Sequence, residues 1–247
     1  MNRIALSVGL CALVALTSAC GGGGGSSGSS ATGTLFFSQD SNANGLFRLS
    51  TTTGAGTLVG AGTTTVTGST VGLTEGPNAS VLLGSKFAGV LQIQANGSGA
   101  VVLGAVIIEA LGYMPNDGLL YGGDNGNFYT LSQVTGAKIA TLPAPGFTVH
   151  GLAADAAANV IYGIGASTNL AKYTISTGVW STVGNTGINW SSGGLAHDSI
   201  NGRLFAVGLN AGGNLHIINK TTGADTVVGP VGVAGSISGG LGFVVTP

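Results

Sequence analysis

Glu109 and His150 are the two residues whose types and spacing invite chemistry. Each stands two positions before a leucine, Leu111 and Leu152, and those leucines are 41 residues apart. A carboxylate beside an imidazole can pass a proton, steady a developing charge or hold a ligand. The two meet only if the intervening chain returns to the same height one structural unit further on. Phe87, Asp124, Phe147, Asn189 and Trp190 fall in the neighbouring loop segments. Phe87, Phe147 and Trp190 are expected to offer a stacking surface, and Glu109, His150 and Asn189 polar contacts beside it. Trp180, on an outer strand, is expected to be dispensable for binding.

Other titratable groups fit structural roles better. His216 shares a repeat position with Phe47, Leu91 and Tyr129 and reads as a core histidine. His197 lies by a turn on the opposite side. Asp155 and Asp198 each open a tight turn, where an Asp side chain caps nearby amides. Three histidines at unrelated repeat positions make no zinc set. The loop "DNGN" at 124–127 lacks the alternating acids of a calcium loop. No phosphate loop, dinucleotide fingerprint or nucleophile elbow stands in a suitable context. No metal and no cofactor is expected.

The elements that must position Glu109 and His150 are written as a repeat. "GLFRLSTTTGAGTLVG" (45–60), "GNFYTLSQVTGAKIATL" (126–142) and "NLHIINKTTGADTVVG" (214–229) share apolar spacing around a Thr-Gly turn. A second phrase precedes them: "GLTEGPNASVLLG" (72–84), "ALGYMPNDGLLYG" (110–122), "GLAADAAANVIYG" (151–163) and "GLAHDSINGRLFA" (194–206). Its anchor leucines, Leu73, Leu111, Leu152, Leu195 and Leu241, are spaced by 38, 41, 43 and 46 residues. A period near 42 made of short strands is the signature of four-stranded propeller blades. The third strand of each unit is apolar on both faces, which suits sheets packed between neighbours.

The ends predict the blade number. "TGTLFFSQD" (32–40) opens the first repeat as a second strand, and "GGLGFVVTP" (239–247) ends the chain as an unpartnered first strand. Joining them predicts an all-β, five-bladed propeller over 31–247, closed by the C-terminal strand. The ring two residues before the anchor leucines then reads Val71, Glu109, His150, Gly193 and Gly239, placing Glu109 and His150 on adjacent blades at the channel mouth.

The repeated phrase, with "GLA-x-D" before it, resembles the repeats of YncE-like and related uncharacterised secreted bacterial propellers. That resemblance implies architecture rather than activity, because its residues are turn formers and core fillers. The first twenty residues, "MNRIALSVGLCALVALTSAC", have one basic residue, an apolar run and small residues before Cys20. They read as a signal peptide over 1–19, too short to span a bilayer. The junction resembles a bacterial lipobox, with Thr17 where Leu is usual. This implies lipidation of Cys20 and, with Gly21 next, an outer-membrane lipoprotein of the cell envelope. "GGGGGSSGSS" then makes 20–30 a lipidated cysteine and flexible tether.

Removing 1–19 leaves six basic and eight acidic residues, without a basic patch for nucleic acid. The two cysteines are Cys11, in the leader, and Cys20. The expectation is therefore a monomer joined to the membrane by its lipid. Its propeller is a non-catalytic binding or scaffolding module for a glycan, peptide or protein. The alternative is a glycosidase- or lactonase-like hydrolase at the channel mouth using Glu109 with His150.

Overall fold

The computed structural model describes residues 31–40, 45–60, 70–86, 89–235 and 237–246. Cys20, the leader, the tether and Phe87 lie outside the described residues.

Twenty strands follow one another. β1 (Thr32–Gln39), β2 (Leu46–Leu49) and β3 (Gly56–Leu58) begin the first blade. The second holds β4 (Thr70–Glu75), β5 (Val81–Lys86), β6 (Gly89–Gln94) and β7 (Ala100–Gly104). The third holds β8 (Ala110–Met114), β9 (Leu119–Asp124), β10 (Asn127–Leu131) and β11 (Lys138–Leu142). The fourth holds β12 (Val149–Asp155), β13 (Val160–Gly165), β14 (Asn169–Thr174) and β15 (Val179–Asn185). The fifth holds β16 (Gly194–Asp198), β17 (Arg203–Val207), β18 (Asn214–Ile218) and β19 (Asp225–Pro230), and β20 (Gly239–Thr246) ends the chain.

β20 pairs antiparallel with β1 over eight residues, from Thr32 opposite Thr246 to Gln39 opposite Gly239. The first sheet is thus β20-β1-β2-β3, and all five sheets have four antiparallel strands. The inner strands β4, β8, β12, β16 and β20 each touch the next, and β20 touches β4. The protein is a five-bladed β-propeller, as the repeat predicts.

Within a blade, we call the strands A to D from the channel outward. The five anchor leucines on strand A are buried, each 1–2% exposed. Register across the sheets defines one transverse row per blade. The rows are Leu241, Phe37, Phe47, Leu58 in the first blade and Leu73, Gly84, Leu91, Val102 in the second. They continue as Leu111, Gly122, Tyr129, Thr141 in the third and Leu152, Gly163, Ala171, Thr182 in the fourth. The fifth is Leu195, Ala206, His216, Val227. The first seat is a leucine in every blade. The second is Gly or Ala in four blades and Phe37 in the first, and the third is large in every blade but the fourth, where it is Ala171, so small and large seats alternate across most rows.

The Thr-Gly phrase has a local cause. Gly54, Gly136, Gly178 and Gly223 have φ of 80°, 63°, 69° and 76°, the left-handed region that glycine enters without strain. Each amide donates to the carbonyl four residues back, at 2.8–2.9 Å. Before three of these glycines a side chain caps the turn: Ser50 accepts from the amides of Thr52 and Thr53, Ser132 from Val134 and Thr135, Asn219 from Thr221 and Thr222. Thr53, Thr135 and Thr222 then accept from the amides of Ala55, Ala137 and Ala224. The C–D turns thereby meet their own hydrogen-bonding needs.

Ring closure is directly testable. Deleting 239–247 leaves the inner edge of β1 unpaired and removes buried Leu241 and Phe243, a loss on the order of 5 kcal/mol. The truncated chain should melt far below the intact one and associate through its bare edges in light scattering. A monomer melting with the full-length protein would refute the closure.

Candidate functional site

A cavity of about 130 Å³ sits on the channel axis, lined by Asp40, Val71, Glu109, His150, Ser192 and Gly239. Asp40 and Gly239 belong to the first blade, and the others to the second, third, fourth and fifth in turn. Local backbone irregularities aim several of them. Val71 and His150 are the extra residues where register shifts between Thr70 and Gly72 and between Val149 and Gly151. A bulge residue leaves the ladder and redirects its side chain. Glu109 lies one residue before β8 pairing begins, its amide held by the Gly123 carbonyl at 3.0 Å.

Glu109 and His150 do converge: His150 Nδ1 lies 3.3 Å from Glu109 Oε2, with the side chains 19% and 33% exposed. Glu109 Oε2 is buried and makes no hydrogen bond among the described residues. Burial pushes the Glu109 carboxyl above its ordinary value of 4.5, His150 opposes the shift, and Asp124 and Asp40 reinforce it. A half-buried acid of raised pKa beside an imidazole can exchange a proton or receive a donor from a ligand.

The ring differs from expectation at one seat. Ser192, not Gly193, lines the cavity, because Ser192 takes φ 52° and its carbonyl accepts from the Gly239 amide at 3.2 Å. Asp40 is the residue that sequence reasoning did not single out. The signal was present in the closure register: Gln39 pairs with Gly239, so the next residue must fall at the mouth. The Asp40 amide donates to the Ser238 carbonyl at 2.7 Å, holding it there.

Trp190 is a correction. It is 0% exposed and belongs to the core between the fourth and fifth blades, so it supplies no stacking surface. Its Nε1–H donates to Thr186 Oγ1 at 2.8 Å and its ring meets His216 edge-on at 5.4 Å. The loop carrying it folds back and plugs the blade end, where burying so large a side chain gains most. Asn189 is exposed, but its Oδ1 is taken by the amide and hydroxyl of Ser191 at 3.1 and 2.7 Å. Phe147 lies away from the mouth, half-buried, its ring 6.1 Å from that of Trp180. Trp180 is correspondingly no bystander: it packs on Phe128 and Tyr173, and Nε1–H donates to the Pro143 carbonyl at 3.1 Å.

The remaining histidines stay structural. His216 is 2% exposed and bridges Asp225 at 2.8 Å and the Ala211 carbonyl at 3.0 Å. On the turn side, Lys220 Nζ donates to Asp155 Oδ2 at 2.7 Å and to His197 Nε2 at 2.9 Å, so the His197 proton sits on Nδ1. Burial holds the His197 pKa below its ordinary 6.5. Asp155 also caps its turn through the Ala158 amide, and Asp198 caps Ile200 and Asn201 while binding Arg203 at 2.7 Å. No group of three metal-ligating side chains occurs among the described residues.

No protein-family model matches the chain, and no curated protein does. Among solved structures, a chain from the crystal structure of a nidogen/laminin complex is similar with a TM-score of 0.60, at 10% identity, over 86% of this chain and 98% of that one. A chain of Kuenenia stuttgartiensis hydrazine synthase is similar with a TM-score of 0.45, at 15% identity, over 64% of this chain and 49% of that one. The first likeness defines the class, a β-propeller, and at that identity it concerns the fold alone.

The mouth geometry predicts a carboxyl titration. The ¹³C signal of the Glu109 carboxyl should titrate above 4.5. Its midpoint should rise further in His150→Ala, which removes the opposing charge, and fall in Asp40→Asn. Unmoved midpoints in both variants would show that the three groups do not share the cavity.

Proposed function

We propose that the chain is a lipid-anchored protein of the bacterial envelope whose propeller is a non-catalytic binding module. It takes a glycan, peptide or protein partner on its loop-rich side, and works as a monomer of the YncE-like secreted kind. The observation that carries this reading is the mouth cavity. Residues from all five blades converge on it, and the buried Glu109 Oε2 there makes no hydrogen bond among the described residues, with only the ion-pair contact to His150 at 3.3 Å. Buried polar atoms are ordinarily hydrogen-bonded, so a carboxylate oxygen facing a cavity with an ion-pair contact but no hydrogen bond suits a donor brought by a ligand. At about 130 Å³ the cavity admits one inserted side chain or small group, not a polymer. The structural likeness to a chain of a nidogen/laminin complex supports a protein partner.

A second reading, a hydrolase, has one observation in its favour: Asp40 brings a second carboxylate to the Glu109–His150 pair. Paired carboxyls are what glycoside hydrolysis uses. Glu109→Gln separates the two readings, since it keeps shape and abolishes proton transfer.

The test of binding uses the immobilised 31–247 domain and envelope extract. Leu209→Arg and Ile107→Arg, exposed on the loop side at 56% and 49%, should lose capture of the partner at least tenfold. Val134→Arg, 74% exposed in a C–D turn, should retain it. Glu109→Gln should weaken capture without abolishing it; extinction of a hydrolytic activity in that variant would favour the second reading instead. For the anchor, a fatty-acid analogue fed to cells should label the wild type and not Cys20→Ala. Equal labelling of both would remove the lipid from the proposal.

A further inference from the structure

The fourth blade departs from the others at one seat, and the departure opens a groove. The third seat of the transverse row holds Phe47, Leu91, Tyr129 and His216 in four blades and Ala171 in the fourth. Thr182, beside it on the outer strand, is also small. The volume a larger side chain would fill is instead a cavity of about 280 Å³ between the third and fourth blades. It is lined by Pro145, Gly146 and Phe147 of a D–A loop, Ser167 and Asn169 by a B–C loop, and Ala171 and 180–182.

The walls are of two kinds. One is aromatic and rigid: the rings of Phe147 and Trp180 stand at 80° to each other. Trp180 is fixed from behind, its ring lying where a Cβ on Gly163 would come within 3.1 Å and its Nε1–H held by the Pro143 carbonyl. The other wall is polar and uncommitted. The side chains of Asn169, Ser181 and Thr182 make no hydrogen bond among the described residues, and Ser181 and Thr182 are exposed. Ser167 Oγ accepts from the Asn169 amide at 3.3 Å and keeps its own proton to donate. No charged side chain lines the groove.

We propose that this groove is a subsite for a neutral sugar residue of a glycan. A pyranose ring has an apolar C–H face and an equatorial fringe of hydroxyls, which matches an aromatic wall opposite free amide and hydroxyl groups. The absence of charge in the lining disfavours uronates, sialic acids and phosphates, for which an Arg or Lys would be the expected partner. The volume is just under the roughly 300 Å³ where small-molecule pockets begin, enough for one ring or two. A fixed aromatic wall lowers the ordering cost of binding. The competing occupant is an extended peptide added along the edge strand β15, which would use backbone groups and be indifferent to the Ala171 seat. This subsite presupposes that the loop-rich side binds rather than hydrolyses.

The test is titration of the full chain, followed by tryptophan fluorescence. The probes are glucose and N-acetylglucosamine oligosaccharides of two to four units, an oligouronate and a neutral extended peptide. A neutral oligosaccharide should give a saturable signal. Ala171→Leu, which installs the residue found at Leu91, should weaken it at least tenfold with the melting temperature held. Ser181→Ala with Thr182→Val should weaken it about three- to tenfold, the loss of one or two neutral hydrogen bonds. The proposal is overturned if no neutral saccharide binds, if the oligouronate or the peptide binds in preference, or if a folded Ala171→Leu binds normally. Partner capture lost in Leu209→Arg but untouched by Ala171→Leu would remove the sugar subsite and leave the binding-module reading standing.

Discussion

The pairing of β20 with β1 is the constraint on which everything else depends. A blade of four short strands cannot bury either of its faces alone; each needs a neighbour on both sides. The first repeat lacks an inner strand, and the last segment of chain is an inner strand without a blade. Their eight-residue register supplies the missing sheet and sets Leu241 into the ring of anchor leucines. It also decides the mouth. With Gln39 opposite Gly239, Asp40 must emerge beside Glu109 and His150, and the cavity is bounded by residues from both ends of the chain.

The two sides of the ring solve different problems. On the turn side, repeated Ser, Thr, Asn and Asp side chains cap the amides that tight turns expose, and cross-blade links such as Lys220 to Asp155 add to them. These residues recur because geometry demands them. The loop side is relieved of that demand, since a connection there need only span from an outer strand to the next inner one. Its loops differ in length and content, and one of them spends its Trp on closing a blade end rather than on a ligand.

Small departures from the repeat carry the functional interest. Bulges at His150 and Val71 turn side chains out of the ladder toward the axis. Ala171, at a seat where four other blades carry a large side chain, leaves space beside Trp180 that an otherwise regular packing would have filled. A propeller tolerates such gaps because each blade is packed mainly by its two neighbours, so one loosened row does not spread around the ring.

Periodicity, turn chemistry and the mismatched ends were enough, from sequence, for the architecture, the blade count and the meeting of Glu109 with His150. Each of these follows from where a residue falls within a repeat, and position in a repeat maps to height and radius in a propeller. Asp40 was legible in principle, by carrying the closure register one residue further. The state of Trp190, Phe147 and Trp180 was not. Phe147 and Trp190 sit in D–A loops and Trp180 on the outer strand β15, and nothing in the pattern says whether a loop folds outward or back, or what an outer-strand ring meets on the neighbouring blade. Tertiary packing decided it: Trp190 found a partner in Thr186 and room beside His216, while Trp180 found the bare backbone of Gly163. A large aromatic side chain goes wherever the packed blades leave enough volume, and that volume exists only once the neighbouring blades are in place.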